Sequence, residues 1–216
     1  LNSINYKFIE EYIRLLLPNR EGILKELEKE AIRKHIPIIE PEVVRLLEIL
    51  LYIKQPHRIL EIGTAIGYST IVLARAVKNG EIITIEKDEE FADEAEKNFK
   101  KAGVSNVRLI IGDALKLLPY MSEPFDFIFI DAAKGKYTRF LPYCVKLLKG
   151  NGILVADNVL FRGMVASDKL IKRRKITIVK RLRKFLKAIC SSTDLETVVI
   201  PIGDGVSISI KRRENT

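Results

Sequence analysis

The sequence predicts an α/β fold: a doubly wound, mostly parallel seven-stranded sheet with a helical N-terminal cap and a C-terminal antiparallel hairpin. Three observations predict it. From residue 58 onward, short apolar runs alternate with longer helix-period segments, the pattern of a parallel sheet covered on both faces. Before that point the spacing of apolar residues is helical only. At the other end, two strand-like runs flank Gly203-Asp204-Gly205, which reads as a hairpin turn.

Taken in order, Tyr6, Ile9, Ile13 and Leu16 have helical spacing, and Pro18 ends that run. A charged helix is expected over 21–34, an extended break at 36–39, and a third helix over 42–53 closed by Pro56. These make a cap, 1–56, on one domain of residues 1–216 whose α/β core is 57–216, since no low-complexity linker intervenes. Strands are predicted at 58–62, 81–86, 106–111, 125–130 and 152–156. Helices fit 67–78, 88–102, 114–120, 135–149 and 170–190. The closing hairpin pairs 197–202 with 206–211.

A chain of 216 residues is long enough to bury a full core, and its apolar and charged fractions are those of a globular protein. No apolar run approaches the roughly 20 residues of a membrane span. The chain begins at Leu1 rather than Met, so a processed or incomplete start is expected. No signal-peptide pattern is present, and Cys144 and Cys190 are isolated, so a reduced, cytoplasmic setting is expected with both cysteines in the core. His35 and His57 have no zinc-type neighbourhood. The net charge is +9, concentrated between Lys169 and Lys187 and in Lys211-Arg212-Arg213. Such clustering suits a polyanionic partner; the competing reading is a solvated helix face.

Chemistry-bearing residues fall at strand ends. Parallel strands point their carboxyl ends to one edge, where open α/β sheets bind ligands. Asp131 follows one apolar strand, and Asp157-Asn158 follows another. Together they offer hard oxygen ligands for Mg²⁺, Mn²⁺ or Ca²⁺, with Lys134 as a possible base; helix caps or turn residues are the alternative. Gly63 and Gly67, between the first strand and its helix, allow a tight turn close to a ligand. Their Gly-x-x-x-Gly spacing departs from the dinucleotide fingerprint, and a plain strand–helix turn has the same look. Glu86 ends the second strand where a ribose diol would sit, Asp113 ends the third where a carboxylate could meet an adenine amine, and Glu61 is expected to face the same crevice.

The segments Glu61-Ile-Gly-Thr-Ala-Ile-Gly-Tyr-Ser69, Ile85-Glu-Lys87, Gly112-Asp-Ala114, Ile130-Asp-Ala-Ala-Lys134 and Asp157-Asn-Val-Leu160 resemble the catechol and caffeoyl-CoA type of S-adenosylmethionine (SAM)-dependent O-methyltransferases. The likeness covers essentially the whole chain, including the antiparallel seventh strand typical of class I, Rossmann-like methyltransferases. Residues 131–137, 157–165 and 200–205 resemble bacterial tRNA 5-hydroxyuridine methyltransferases, which complete 5-methoxyuridine at the wobble position. The resemblance implies that Glu86 holds the ribose of SAM, Asp113 and Ala114 frame the adenine, and Gly63 and Ser69 lie against the methionine end. It implies Mg²⁺ on Asp131, Asp157 and Asn158, with Lys134 as base. Ile39 stands where relatives often carry Met in the segment covering the cofactor. A homodimer through the N-terminal helices is implied as well.

Methyl transfer from a sulfonium needs an oxyanion aimed at the methyl group. A divalent cation acidifies and orients a bound hydroxyl, and should also depress the pKa of a nearby Lys134. Catechol and 5-hydroxyuridine both present two vicinal oxygens, so this cage serves either. Charge discriminates between them. Lys172, Arg173, Arg174, Lys175, Lys180, Arg181, Arg183, Lys184 and Lys187 lie in and before the last long helix. Ile178, Leu182, Phe185 and Ile189 have core spacing there, so the cations can face outward. A tRNA anticodon arm would use that field through phosphate contacts, with Arg173, Arg174, Lys175 and Arg181 as the expected RNA contacts. Tyr137 or Phe161 could stack on an extruded base or pack internally. The expected reaction is therefore Mg²⁺-dependent methylation of tRNA 5-hydroxyuridine, with a small catechol as the alternative acceptor.

Overall fold

The computed structural model describes residues 4–77 and 80–213. Three helices come first: α1 (Lys7–Leu16), α2 (Gly22–Lys34) and α3 (Pro41–Lys54). Then β1 (Arg58–Ile62), α4 (Tyr68–Ala76), β2 (Glu81–Glu86), α5 (Glu89–Ala102), β3 (Val107–Ile111), α6 (Ala114–Leu117) and β4 (Phe125–Ile130) follow. The chain ends with α7 (Tyr137–Leu147), β5 (Leu148–Ala156), α8 (Ile176–Cys190), β6 (Leu195–Ile200) and β7 (Val206–Lys211). Lys78, the last residue of the helix predicted over 67–78, lies outside the described residues.

The seven strands form one sheet in the order β3-β2-β1-β4-β5-β7-β6. The first five are mutually parallel, while β7 runs antiparallel to both β5 and β6. This is the doubly wound sheet with a terminal hairpin that the sequence predicts. Strand parity divides the core. Ile59, Phe127, Phe129 and Val155 pack with α2, α3, α4 and α5 on one face. Leu60, Ile62, Ile128, Ile130, Leu154 and Ala156 pack with α7 and α8 on the other. Successive side chains of a strand point to opposite faces, so doubly covered strands must be apolar throughout.

Strand order reverses between β1 and β4, which puts the switch-point crevice at their carboxyl ends. There Asp131 N donates to Ile62 O at 3.0 Å, and Asp157 N donates to Ile130 O at 3.0 Å. The strand ends are thus tied side by side before any side chain is considered.

Several predicted bounds shift. The helix expected over 170–190 begins only at Ile176, after separate 3-10 turns at Asp168–Leu170 and Arg173–Lys175. Four consecutive cations, Lys172 to Lys175, oppose the positive end of a helix dipole there, and no side chain caps it. The segment predicted as helix 114–120 tightens to a 3-10 turn at Leu118–Tyr120, around Pro119. The helix expected from 135 starts as a 3-10 turn, Lys134–Lys136. Strand β6 starts and ends two residues before its predicted bounds. In α8 the buried stripe is Val179, Leu182, Phe185 and Ile189, so Val179 takes the place expected of Ile178. Cys144 is buried as expected, but Cys190 is exposed at the end of α8. No helix among the described residues is long and apolar enough to cross a membrane.

Candidate active site

The turn after β1 is shaped by glycines that nothing else can replace. Gly63 has φ +104°, and a Cβ there would lie 2.0 Å from the carbonyl oxygen of Asp131. Gly67 has φ +84°, and its Cβ would lie 2.5 Å from the Phe99 ring. The turn therefore passes directly against the end of β4 and packs onto α5. Above it opens a cavity of about 520 Å³, lined by Ile39, Gly63, Ser69, Glu86, Asp113, Ala114, Asp131, Lys134 and Asn158 among others.

At one end of the cavity, Glu86 organises the backbone. Its Oε2 accepts from Thr64 N at 3.2 Å and Ala65 N at 2.9 Å, and its Oε1 from Lys87 N at 2.8 Å and Asp88 N at 3.0 Å. Asp113 caps α6 by accepting from Leu115 N, and its Oδ2 accepts from Lys136 Nζ at 2.8 Å. That lysine holds the Asp113 carboxyl below its ordinary range. Lys136 thus ties the turn after β4 to the turn after β3 across the cleft. Its spacing from Lys134 gave no sign of this.

Glu61 departs from expectation. It is fully buried and does not line the cavity. Its parity matches Ile59, so it points beneath α4, where it accepts hydrogen bonds from Ser69, Thr70 and Thr84 hydroxyls. Burial pushes its carboxyl up to about 7, against those three hydroxyls. The folded pKa lies above the unfolded one, so the fold favours the protonated form. The associated stability is complete below about pH 4.5, declines as pH rises towards 7 and is flat above it. Relative to a Glu61→Gln variant, denaturant melts should show wild-type protein losing about 3 kcal/mol across that window. Parallel pH profiles for the two proteins would contradict this account.

At the other end of the cavity the acids converge. Asp157 is 0% exposed. Its Oδ1 accepts from Asn158 N at 2.6 Å, while its Oδ2 has no partner. Burial, then the Asp131 and Glu40 charges, push its carboxyl well above the ordinary range. Asp131 is half-buried; burial raises its carboxyl too, opposed by the Lys134 ammonium at 3.6 Å. Glu40, which no sequence motif marks, lines the same cavity from the cap with Oε2 buried and unpartnered. Burial pushes the Glu40 carboxyl up, and Glu42, Asp131 and Asp204 add to it. Its position directly before Pro41 looks like an ordinary helix start, yet its side chain makes no cap bond.

An unpartnered buried carboxylate is costly, and a divalent cation at Asp157 would remove that cost. Asp131, Asp157 and the Asn158 amide offer the hard oxygen donors Mg²⁺ prefers, so the residues present fit the cation. Among the described residues no three His, Cys, Asp or Glu side chains form a ready metal cluster. A cation here would rest on two carboxylates and an amide, leaving positions for other oxygens.

The basic residues expected to contact RNA do not line the cavity. Arg173, Arg174 and Lys175 form an exposed 3-10 turn, and Arg181 Nη1 reaches Gly135 O at 3.4 Å, in the turn that carries Lys134. Lys175 Nζ lies 5.8 Å from the centre of the Phe161 ring, which borders the loop after Asn158. Tyr137 is not available for base stacking. It is fully buried and donates its hydroxyl to Asp157 O at 3.0 Å, with Ile130 O at 3.3 Å.

A sequence profile described as O-methyltransferase matches residues 18–212. A catechol O-methyltransferase of Niastella koreensis is 32% identical over 97% of this chain and 99% of its own length. The O-methyltransferase TomG from Streptomyces achromogenes, solved in complex with SAM, is 28% identical with a TM-score of 0.83, covering 95% of this chain and 96% of that one. The O-methyltransferase from Bacillus cereus, solved in complex with S-adenosylhomocysteine (SAH), is 28% identical with a TM-score of 0.84, over 95% and 97%. With a profile over most of its length and relatives matched almost end to end, the chain belongs to the O-methyltransferase family.

Proposed function

We propose that this protein transfers a methyl group from SAM to one hydroxyl of a vicinal oxygen pair, and that the acceptor is 5-hydroxyuridine at the tRNA wobble position. The observation that carries the transfer chemistry is the unpartnered Asp157 carboxylate oxygen, buried beside Asp131 and Asn158 next to a cofactor-sized cavity. Glu86, Asp113 and Ala114 would receive the adenosine, Gly63 and Ser69 the methionine end, with Ile39 in the segment covering the cofactor. Asp131, Asp157 and Asn158 would hold Mg²⁺, which when bound supplies a positive charge that acidifies and orients the acceptor oxygens. Lys134, beside Asp131, would as the free amine take the proton of the acceptor hydroxyl while the hydroxyl oxygen bonds to the methyl carbon and the sulfonium S–C bond breaks, leaving SAH and the lysine ammonium.

The RNA acceptor is supported by placement of charge. The turn Arg173–Lys175 borders the loop after Asn158, and Arg181 touches the turn bearing Lys134. A small catechol needs no such field, whereas an anticodon arm does. The second reading, a catechol-type small-molecule enzyme, is favoured by the relative named catechol O-methyltransferase. Association of two copies through the cap belongs to the same proposal: α1 buries none of its residues and exposes Phe8, Tyr12, Leu15 and Leu16.

Mass analysis of tRNA nucleosides from cells lacking the protein tests the acceptor. Accumulated 5-hydroxyuridine is expected; unchanged 5-methoxyuridine would sink the RNA reading. Charge reversal at Arg173 and Arg174 should weaken tRNA binding at least about tenfold and flatten its salt dependence by about 1–2 in log–log slope. If the reversal altered only catechol turnover, the small-molecule reading would stand instead.

A further inference from the structure

The loop after Asn158 is held in an unfavourable shape by the tip of the β6–β7 hairpin. Asn158, Phe161 and Arg162 have φ of +55°, +48° and +57°. Three residues with side chains in the left-handed region within five positions form a strained run that needs outside support. That support comes from the hairpin tip, about forty residues later in the chain. Gly205 O accepts from Val159 N at 2.9 Å, and Asp204 O accepts from Leu160 N at 3.0 Å. The Asp204 carboxylate accepts from Arg162 N.

The fit is close on both sides of the tip. A Cβ on Gly205 would lie 2.4 Å from Leu160, and one on Gly203 would lie 2.8 Å from Val43 and 3.2 Å from Glu40 Oε2. The hairpin therefore wedges between the cap and the loop that begins with Asn158. Of these three hydrogen bonds to the loop, the one made by the Asp204 carboxylate uses a side chain, so substitution can remove it without altering the backbone.

We propose that Asp204 is a positioning residue for the acceptor side of the cleft. By holding Arg162 N it fixes the strained loop, and so sets both the Asn158 amide as a cation donor and Phe161 at the rim. The inference rests on the cation site proposed above. Groups that orient metal donors from outside typically change metal affinity 10- to 100-fold when removed.

The test compares full-length Asp204→Ala and Asp204→Asn with wild type. Amide hydrogen exchange across 158–163 is followed without cation or cofactor, Mn²⁺ uptake by electron paramagnetic resonance, and SAH binding by calorimetry. In Asp204→Ala, exchange at Arg162 should rise at least about tenfold and Mn²⁺ affinity fall about tenfold or more, with SAH affinity within about twofold. Asp204→Asn keeps an oxygen acceptor and should restore both readouts to within about threefold. Wild-type Mn²⁺ affinity in Asp204→Ala would overturn this inference alone. An Asp204→Asn as impaired as alanine, or SAH affinity falling in step with Mn²⁺, would overturn it too. Wild-type protein that takes up no Mn²⁺ would sink the cation site itself, and the inference with it.

Discussion

Replacing Asp157 by alanine is expected to lower kcat/KM for methyl transfer at least about a thousandfold, some 4 kcal/mol of transition-state stabilisation. SAH binding should stay within about threefold, because Asp157 does not line the cavity in which Glu86 and Asp113 would receive the cofactor. The size of the effect follows from position. Asp157 has one oxygen satisfied by the next backbone N–H and one left over in a buried setting. A buried oxygen with no partner is suited to a cation, and on the proposed mechanism its removal would remove both the cation and the alignment of the acceptor oxygens. Folding should survive: the tie between β4 and β5 and the Tyr137 hydroxyl bond both use the Asp157 backbone. Metal-free Asp157→Asn should melt no lower than metal-free wild type, since it deletes an uncompensated carboxylate. Steady-state rates with Mg²⁺, repeated in chelator, check the account. Wild-type rates unaffected by chelator would remove the cation from the mechanism.

The parts of this site that were legible in the sequence share a cause. Strands covered on both faces must be apolar, so an acid at the end of such a run marks the sheet edge. That rule found Glu86, Asp113, Asp131 and Asp157 at once. It failed for Glu61, one residue inside its strand, where parity turns the side chain under α4 instead of out of the edge. It was silent on Glu40 and on the carboxylate of Asp204, because both come from segments distant in sequence: the packed cap brings Glu40 to the cavity, and the hairpin brings Asp204 to the loop after Asn158. The basic run was legible as charge but not as shape: its cations delay the helix and leave Arg173–Lys175 as a separate exposed turn. Tyr137 illustrates the remaining gap. An aromatic beside a motif can be contact or scaffold, and here two backbone carbonyls claim its hydroxyl.

Glu86→Ala should abolish measurable SAH binding, a loss of at least about a hundredfold, and lower stability by about 2–4 kcal/mol. Each of the two Glu86 carboxylate oxygens accepts from two backbone N–H groups, one from Thr64 and Ala65 and the other from Lys87 and Asp88. Glu86 is therefore the common acceptor for two turns: the one after β1, where Ala65 is held at φ +45°, and the one leading into α5. Without it four donors lose their partner, and water entering from the cavity repairs only part of that loss. The turn carrying Gly63 then relaxes away from the shape that admits a cofactor. Glutamine is no conservative replacement here. Whichever way its amide turns, an NH₂ faces two N–H donors, so Glu86→Gln should lose most of the affinity that alanine loses. A ribose contact alone predicts otherwise, since an amide can still accept from one hydroxyl and donate to the other. Calorimetry of SAH with both variants separates the two accounts: near-wild-type affinity in Glu86→Gln would show that the carboxylate does not organise these turns.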